Sequence, residues 1–183
     1  MNVALRKLWT TEQFLDWEER QELKHEFDGF QPEAMTGGTA AHERIKMNLA
    51  AALVTRLRGK PCQPYGSDLK IRAGDSIRHP DAFVVCTPVP PRSTVVGDPV
   101  VIFEVHSPGS GLKDRIIKNR EYQALPSVRR YVMLEQDGIA AMVFERVGGD
   151  WVGHLLTEDA VLRMPEIGIE IPLPELYEGL EFP

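Results

Sequence analysis

The sequence has few cysteines, no long apolar run and no excess of positive charge. Its two cysteines, Cys62 and Cys86, are far apart and form no CxxC pair, so we expect neither a disulfide framework nor a structural zinc site. A reducing cytoplasm is then the simplest compartment. No stretch reaches the roughly 20 apolar residues that a membrane span needs. Residues 1–7 also lack the apolar segment of a secretory signal.

The net charge limits how this protein could bind nucleic acid. The net charge of −6 counts against a protein that coats nucleic acid by electrostatic attraction, because such binding requires many neutralised phosphates. A local basic groove is compatible with it, since lysine and arginine are concentrated at 44–60 and 113–130. With 183 residues, of which 43% are hydrophobic and 26% charged, the chain has the composition of one globular domain over 1–183.

The apolar pattern predicts helices and strands in alternation. Thr10 and Gln13 have the spacing of a capping box at the start of a first helix. A stripe of apolar residues predicts a second helix over 41–58, and a third is expected over 112–124, after a turn at 107–111. The extended segments are predicted at 25–35, as a strand or hairpin broken near Asp28-Gly29, and at 62–72 and 77–86, as two long strands that form a hairpin. Further strands are predicted at 100–106, 130–135, 140–146, 151–156 and 167–171. This order predicts an α/β fold with a central mixed β-sheet flanked by α-helices.

Glu104 is the most informative single residue. It lies within the apolar run from Val100 to His106, which predicts a strand covered on both faces. A carboxylate there faces a large desolvation cost unless it is paired or binds a metal ion. Strand alternation places Glu104 and His106 on the same face. The alternative is a structural ion pair between Glu104 and an arginine.

Asp81 is a second carboxylate at the start of an apolar strand. If strand 77–86 lies beside strand 100–106, Asp81 and Glu104 converge at one end of the sheet. Two carboxylates suit Mg²⁺, which keeps several water ligands and needs few from the protein. The alternative for Asp81 is a turn residue that bonds its own backbone.

The third helix offers a cation for such a site. Asp114, Lys118 and Tyr122 are spaced four residues apart and share one helix face. A lysine beside the metal could orient the attacking water or stabilise charge on a phosphate, whereas the alternative is a solvated Asp114–Lys118 ion pair. Glu26 and His42 are further candidates, whose alternatives are a charge at a strand edge and a polar residue at a helix start.

These residues together resemble one family. The segments that carry the resemblance, in order, are Lys24-His25-Glu26-Phe27-Asp28-Gly29, His42, Pro80-Asp81, Phe103-Glu104-Val105-His106-Ser107-Pro108, Asp114…Lys118…Tyr122, Arg130-Tyr131-Val132 and Leu173-Pro174-Glu175-Leu176-Tyr177. Their order and spacing resemble the Uma-type family of proposed restriction endonucleases, within the PD-(D/E)XK nuclease superfamily. The resemblance covers nearly the whole chain.

The resemblance implies a restriction-endonuclease-like fold, phosphodiester hydrolysis and homodimers. It implies that Asp81 and Glu104 are metal ligands, that the backbone carbonyl of Val105 is another, and that Glu26 is an accessory acid. One position departs from the superfamily pattern: His106 stands two residues after Glu104, where the superfamily has lysine. The Uma-type pattern supplies a lysine from the following helix instead, which here is Lys118.

The leading hypothesis is therefore a Mg²⁺-dependent endonuclease that acts on DNA, with Mn²⁺ as a substitute metal. Asp81 and Glu104 hold the metal, which lowers the pKa of the attacking water, and Lys118 positions that water or the phosphate, supported by Tyr122. The accessory residues are Glu26, His42, His106 and Tyr122. One alternative is a catalytically silent module of the same fold that binds nucleic acid or a protein partner. Another is a metal-dependent hydrolase of a small phosphorylated molecule.

Overall fold

The computed structural model describes residues 9–106 and 112–182. The expectation for residues 1–7 and the predicted turn at 107–111 lie outside the described residues. Side chains of residues 112–114 are also outside them, and so is the alternative of an Asp114–Lys118 ion pair.

The helices lie close to their predicted positions. They are α1 (Thr11–Glu18), α2 (Ala40–Leu57) and α3 (Leu112–Ala124). The predicted capping box is present, because the Thr10 hydroxyl accepts from the Gln13 backbone while the Gln13 side chain accepts from the Thr10 backbone. Thr39 caps α2 by accepting from the backbone N–H of His42. Past the end of α2, Gly59 adopts a left-handed φ of 76°, which a residue with a side chain rarely does.

The strands form three sheets. In chain order they are β1 (His25–Phe27), β2 (Pro32–Ala34), β3 (Gln63–Gly66), β4 (Lys70–Ala73), β5 (Ser76–Arg78), β6 (Ala82–Val85), β7 (Val95–Val96), β8 (Val101–His106), β9 (Arg130–Glu135), β10 (Ala140–Val147), β11 (Asp150–Thr157), β12 (Val161–Met164) and β13 (Ile169–Pro172). The central sheet has the order β11-β10-β9-β8-β6-β3, with β8 and β9 parallel and the other neighbours antiparallel. A second sheet has the order β2-β1-β5-β4-β7, and β12 pairs with β13.

The hydrophobic core lies on both faces of the central sheet. On one face, alternate residues such as Val101 and Phe103 pack with Leu49 and Leu53 of α2. On the other face, Ile102 packs in a cluster that includes Tyr122 of α3. A central mixed sheet between helices is the architecture that the sequence predicts. Within the described residues, no helix is both long and apolar enough to cross a membrane.

The two long strands predicted at 62–72 and 77–86 are wrong in extent. Each is divided by a break, at 67–69 and at 79–81. The inner halves, β4 and β5, form the predicted hairpin but belong to the second sheet, whereas the outer halves, β3 and β6, pair in the central sheet. Pro80 lies in the second break, and proline cannot donate a ladder hydrogen bond. This change of sheet leaves Asp81 at the junction between the two sheets.

The expectation of unpaired cysteines is also wrong. Cys62 and Cys86 form a disulfide. They are 24 residues apart in sequence, but antiparallel pairing aligns Gln63 with Val85 and so makes the cysteines cross-strand neighbours at the ends of β3 and β6. The argument for a reducing compartment, which rested on unpaired cysteines, loses its basis.

Candidate active site

A cavity of about 300 Å³ opens at the carboxyl end of β8, where the two larger sheets and the start of α2 meet. Its wall includes seven of the residues singled out from the sequence, which are Glu26, His42, Asp81, Glu104, Val105, His106 and Lys118. The connector between β2 and α2, residues 35–39, forms another part of the wall. Residues from five separate stretches of the chain therefore share one recess.

Glu104 is held on the α3 side of the central sheet. It alternates with Phe103 and Val105, so it shares a face with Ile102 and His106, as the strand pattern predicts. Only 6% of Glu104 is exposed. Its Oε1 accepts hydrogen bonds from the Tyr122 hydroxyl at 2.8 Å and from Lys118 Nζ at 3.4 Å. Glu104 is therefore paired with a lysine and a tyrosine rather than with the arginine of the alternative reading.

The protonation of Glu104 follows from these surroundings. Burial raises its pKa to about 7, the negative charges of Asp81 and Glu26 add to the rise, and the charge of Lys118 opposes it. Burial also raises the pKa of the Tyr122 hydroxyl well above its usual value, so that group remains a hydrogen-bond donor. At neutral pH, with no cation added to the site, the carboxyl of Glu104 is therefore about half protonated.

Asp81 lies directly across from Glu104. The antiparallel ladder ends at the pair of Ala82 and Phe103, so Asp81 and Glu104 are the next residues of the two chain segments. Asp81 Oδ2 accepts the backbone N–H of Val105 at 2.7 Å and contacts His42 Nε2 at 3.2 Å. The Asp81 carboxylate thus accepts a hydrogen bond from the backbone of β8, and not from its own turn as in the alternative.

Two basic side chains of α2 favour the ionised form of Asp81. Although burial opposes it, the hydrogen bond and charge of His42, with the charge of Lys46 at 3.7 Å, keep the pKa of Asp81 below its usual value. The same hydrogen bond raises the pKa of His42. Lys46 was not among the residues expected from the sequence, although it follows His42 by one helical turn and so shares its face.

Lys118 reaches the site from α3. Its Nζ lies 3.1 Å from Glu26 Oε1 and 3.4 Å from Glu104 Oε1, which makes it a bridge between two acids on different sheets. Tyr122, one turn later on the same face, donates to Glu104 and contacts the carboxylate rather than the lysine. Its expected support of Lys118 is therefore indirect.

The position of Glu26 depends on residues that the sequence pattern did not single out. Arg78 of β5 is 2% exposed and donates to Glu26 Oε2 at 3.1 Å. Its other nitrogens bond both carboxylate oxygens of Glu121, at 2.7 and 2.9 Å, and Ser76 donates to the same carboxylate. Although burial opposes it, the charges of Lys118 and Arg78 lower the pKa of Glu26. An arginine inside a short strand is the one signal in the sequence that could have indicated this network.

His106 is unsuited to replace a fixed cation. Burial and the positive charges of Arg115 and Lys118 lower its pKa to about 4, so its ring is neutral at neutral pH. In the described part of the chain, no group of three or more His, Cys, Asp or Glu side chains is arranged as metal ligands. The site thus offers the neighbouring carboxylates of Asp81 and Glu104 and the ammonium group of Lys118, and the other polar side chains contact these three.

Comparison with known proteins adds a family and a fold. The sequence model of the Uma2 family, described as "Putative restriction endonuclease", matches residues 11–174. Two uncharacterized proteins of Synechocystis are similar to this chain. One, slr1290, is 31% identical over 175 residues, covering 93% of this chain and 92% of that protein. The other, sll1609, is 28% identical over 166 residues, covering 86% and 91%.

A solved structure resembles the fold at low sequence identity. It is the crystal structure of a putative nuclease belonging to DUF820 from Anabaena variabilis, with a TM-score of 0.77 and 15% identity. The match covers 92% of this chain and 97% of that one.

Proposed function

The chain belongs to the Uma2 family and has a restriction-endonuclease-like fold, and on that premise we propose that it hydrolyses phosphodiester bonds of DNA with the help of Mg²⁺ or Mn²⁺. One observation carries the proposal. Asp81 lies in the break before β6, Glu104 on β8 and Lys118 on α3, yet all three line one cavity. Buried carboxylates beside a lysine are costly to fold, and they are typical of a site that handles a charged substrate.

The donor set fits a hard divalent cation. Asp81 and Glu104 would hold it through carboxylate oxygens, and the carbonyl of Val105 would add a third. Mg²⁺ keeps most of its water ligands and takes few from protein, so two carboxylates are sufficient without a larger cluster. A bound ion would supply charge neutralisation at the phosphate and would lower the pKa of the attacking water.

The protein side chains then have distinct tasks. Lys118 is placed to neutralise charge on the phosphate, and Glu26 holds its ammonium group at 3.1 Å. Tyr122 fixes Glu104 by donating to it at 2.8 Å. His42 fixes Asp81 from the opposite side. Each group that would touch metal or phosphate is thus oriented by a second one.

The test is nicking of supercoiled plasmid by the purified protein with Mg²⁺ or Mn²⁺. We expect Asp81→Asn and Glu104→Gln to lose nicking. Glu33→Gln is the matched control, because Glu33 lines the same cavity but is exposed on β2. Nicking that is equal in the wild type and both site variants would mean contamination and would overturn the proposal.

A catalytically silent binding module is the second candidate. His106 replaces the superfamily lysine and is neutral, and the described residues form no three-ligand cluster. Calorimetric titration with Mn²⁺ separates the two. Binding that disappears in Asp81→Asn supports the nuclease, whereas DNA retention without metal binding or cleavage supports the silent module.

Hydrolysis of a small phosphorylated molecule is the third candidate. The cavity of about 300 Å³ is at the lower limit of small-ligand sites. Release of phosphate from nucleoside monophosphates, without plasmid nicking, would favour this activity.

A further inference from the structure

Arg115 lies on α3 one turn before Lys118, and the spacing of three residues puts the two side chains on one helix face. Its Nη1 and Nη2 donate to the two carboxylate oxygens of Glu135, at 3.3 and 3.2 Å. Parallel pairing of β8 with β9 sets Glu135 beside His106, which lines the cavity. The charge of Arg115 also lowers the pKa of His106 more than the charge of Lys118 does. Arg115 therefore lies at the edge of the candidate active site, on the side of His106.

The ion pair with Glu135 leaves much of the Arg115 guanidinium unused. A guanidinium has about five N–H donors, and the two bonds to Glu135 occupy two of them. Both bonds are longer than the length of about 2.7–2.9 Å that is usual between a guanidinium and a carboxylate. Arg115 Nε is buried and has no hydrogen-bond partner within the described residues. A buried donor without an acceptor costs free energy, so this incomplete pairing calls for an explanation other than stability.

Arg56 of α2 shows how a structural ion pair of the same exposure is built. The Arg56 and Glu175 side chains are 28% and 35% exposed, against 27% and 37% for Arg115 and Glu135. Arg56 donates to both carboxylate oxygens of Glu175 at 2.7 and 2.6 Å, and its Nε donates to a backbone carbonyl at 2.9 Å. At equal exposure, the pairing is thus complete at Arg56 and incomplete at Arg115.

A phosphate group fits the unused donors of Arg115. The planar guanidinium can donate in parallel to two oxygens of a phosphate, as it does to those of a carboxylate. Since His106 is neutral at neutral pH, the positive charge on this side of the cavity comes from Arg115. An α-helix rises about 1.5 Å per residue, so Arg115 lies roughly 4.5 Å from Lys118 along α3. A nucleic-acid strand with one phosphate at Lys118 would therefore carry a neighbouring phosphate past Arg115.

We propose that Arg115 binds a backbone phosphate of the nucleic acid next to the one at Lys118, and that it exchanges its bonds to Glu135 for bonds to this phosphate. The inference rests on the proposed function in one respect, which is that the substrate is a nucleic acid, and it does not require cleavage. Glu135 holds the guanidinium while the site is free and competes with the phosphate when DNA arrives. Because this phosphate is not the one attacked, the contact strengthens binding of the substrate and of the transition state equally, so it lowers KM and leaves kcat unchanged.

Fluorescence anisotropy of a labelled DNA duplex, with Ca²⁺ in place of Mg²⁺ to prevent cleavage, tests the proposal. Arg115→Gln should weaken binding about tenfold at low salt. The slope of log Kd against log salt should become shallower by about 0.9, the value for one lost phosphate contact. Arg56→Gln is the matched control and should change neither quantity. An affinity and a salt slope in Arg115→Gln equal to those of the wild type, or a wild type that does not bind the duplex, would overturn the proposal.

Glu135→Gln separates a phosphate contact from an ion pair that only supports the fold. If the pair were only structural, breaking it from either side would weaken DNA binding alike. If Arg115 binds phosphate, Glu135→Gln frees the guanidinium and should tighten binding several-fold. This gain should disappear when Arg115→Gln is also present, because the two residues act through one contact. A loss of affinity in both single variants would refute the phosphate contact.

Plasmid nicking with Mg²⁺ distinguishes this inference from the proposed nuclease activity. Arg115→Gln should raise KM for the plasmid and leave kcat within about twofold of the wild type. A wild type that binds the duplex without cutting DNA, and that loses affinity in Arg115→Gln, would refute the nuclease activity and support the phosphate contact. A wild type that cuts the plasmid with a KM that Arg115→Gln leaves unchanged would support the nuclease activity and refute the contact.

Discussion

Replacing Arg78 with methionine should be one of the most destabilising single changes in the described part of this protein. The side chain is buried and donates two hydrogen bonds to Glu121 and one to Glu26. Methionine has a similar length but no donor, so both acids would lose their shared cation. Removing one partner of a buried ion pair costs about 3–5 kcal/mol. This is a large fraction of the roughly 5–15 kcal/mol that stabilises a typical domain.

The measurement is urea unfolding followed by tryptophan fluorescence, with thermal unfolding beside it. For a chain of this size, each kcal/mol corresponds to about 2–4 °C, so Tm should fall by roughly 6–20 °C. Arg72→Met is the matched control. Arg72 pairs with Glu12 at 3.1 Å, but the two side chains are 43% and 68% exposed. Loss of this surface pair should cost less than about 1 kcal/mol.

A partner substitution shows whether the unpaired acid is the cause. Adding Glu121→Leu to Arg78→Met removes the carboxylate that has lost its cation, so part of the lost stability should return. An Arg78→Met protein within about 1 kcal/mol of the wild type would refute the reasoning. So would a double variant that is less stable by the sum of the two single effects.

Three further predictions concern proton binding, packing and the disulfide. Because the folded-state pKa of Glu104 is about 7 and its ordinary value is 4.5, its contribution to stability falls as pH rises between them. Urea unfolding in EDTA should therefore show Glu104→Gln more stable than the wild type by up to about 3 kcal/mol at pH 8, but by little at pH 4. An equal difference in the free energy of unfolding at both pH values would contradict this. A Cβ at Gly38 would lie 2.7 Å from His42 Nδ1, so Gly38→Ala should lower the raised pKa of His42 in an NMR titration, whereas Gly37→Ala, with open space, should not. An unchanged His42 pKa in both variants would show that the close packing of Gly38 against the His42 ring is not needed to raise that pKa. Cys62→Ser should lower the free energy of unfolding by about 3 kcal/mol under oxidising conditions and by nothing in excess reductant; equal loss in both would exclude the disulfide as the cause.

The sequence predicted the elements well because their signals are local. The capping box of Thr10 and Gln13, the stripe of α2 and the buried run of β8 each depend on residues within one or two turns or one strand. Strand alternation also placed Glu104 and His106 on one face. The two long strands were wrong because nothing in the local pattern shows when a chain passes from one sheet to another.

The site was predictable in part. Asp81 and Glu104 are carboxylates in apolar surroundings, which is a visible anomaly in a sequence. Lys118 came from the resemblance, because a lysine on a helix surface has no anomaly of its own. Arg78 and Lys46 were missed because their burial or pairing depends on elements far away in the chain.

The sequence alone determined the helices, the central strand, the mixed α/β class and the two acids that desolvation makes conspicuous. Only the tertiary structure decided that Lys118 lies between Glu26 and Glu104 and that Arg78 forms an ion pair with Glu121. It also decided that Cys62 and Cys86 form a disulfide. The physical reason is the range of the interactions. Helix and strand patterns are set by residues a few positions apart, whereas the pairing of buried charges is set by which elements pack together and by how much water they exclude.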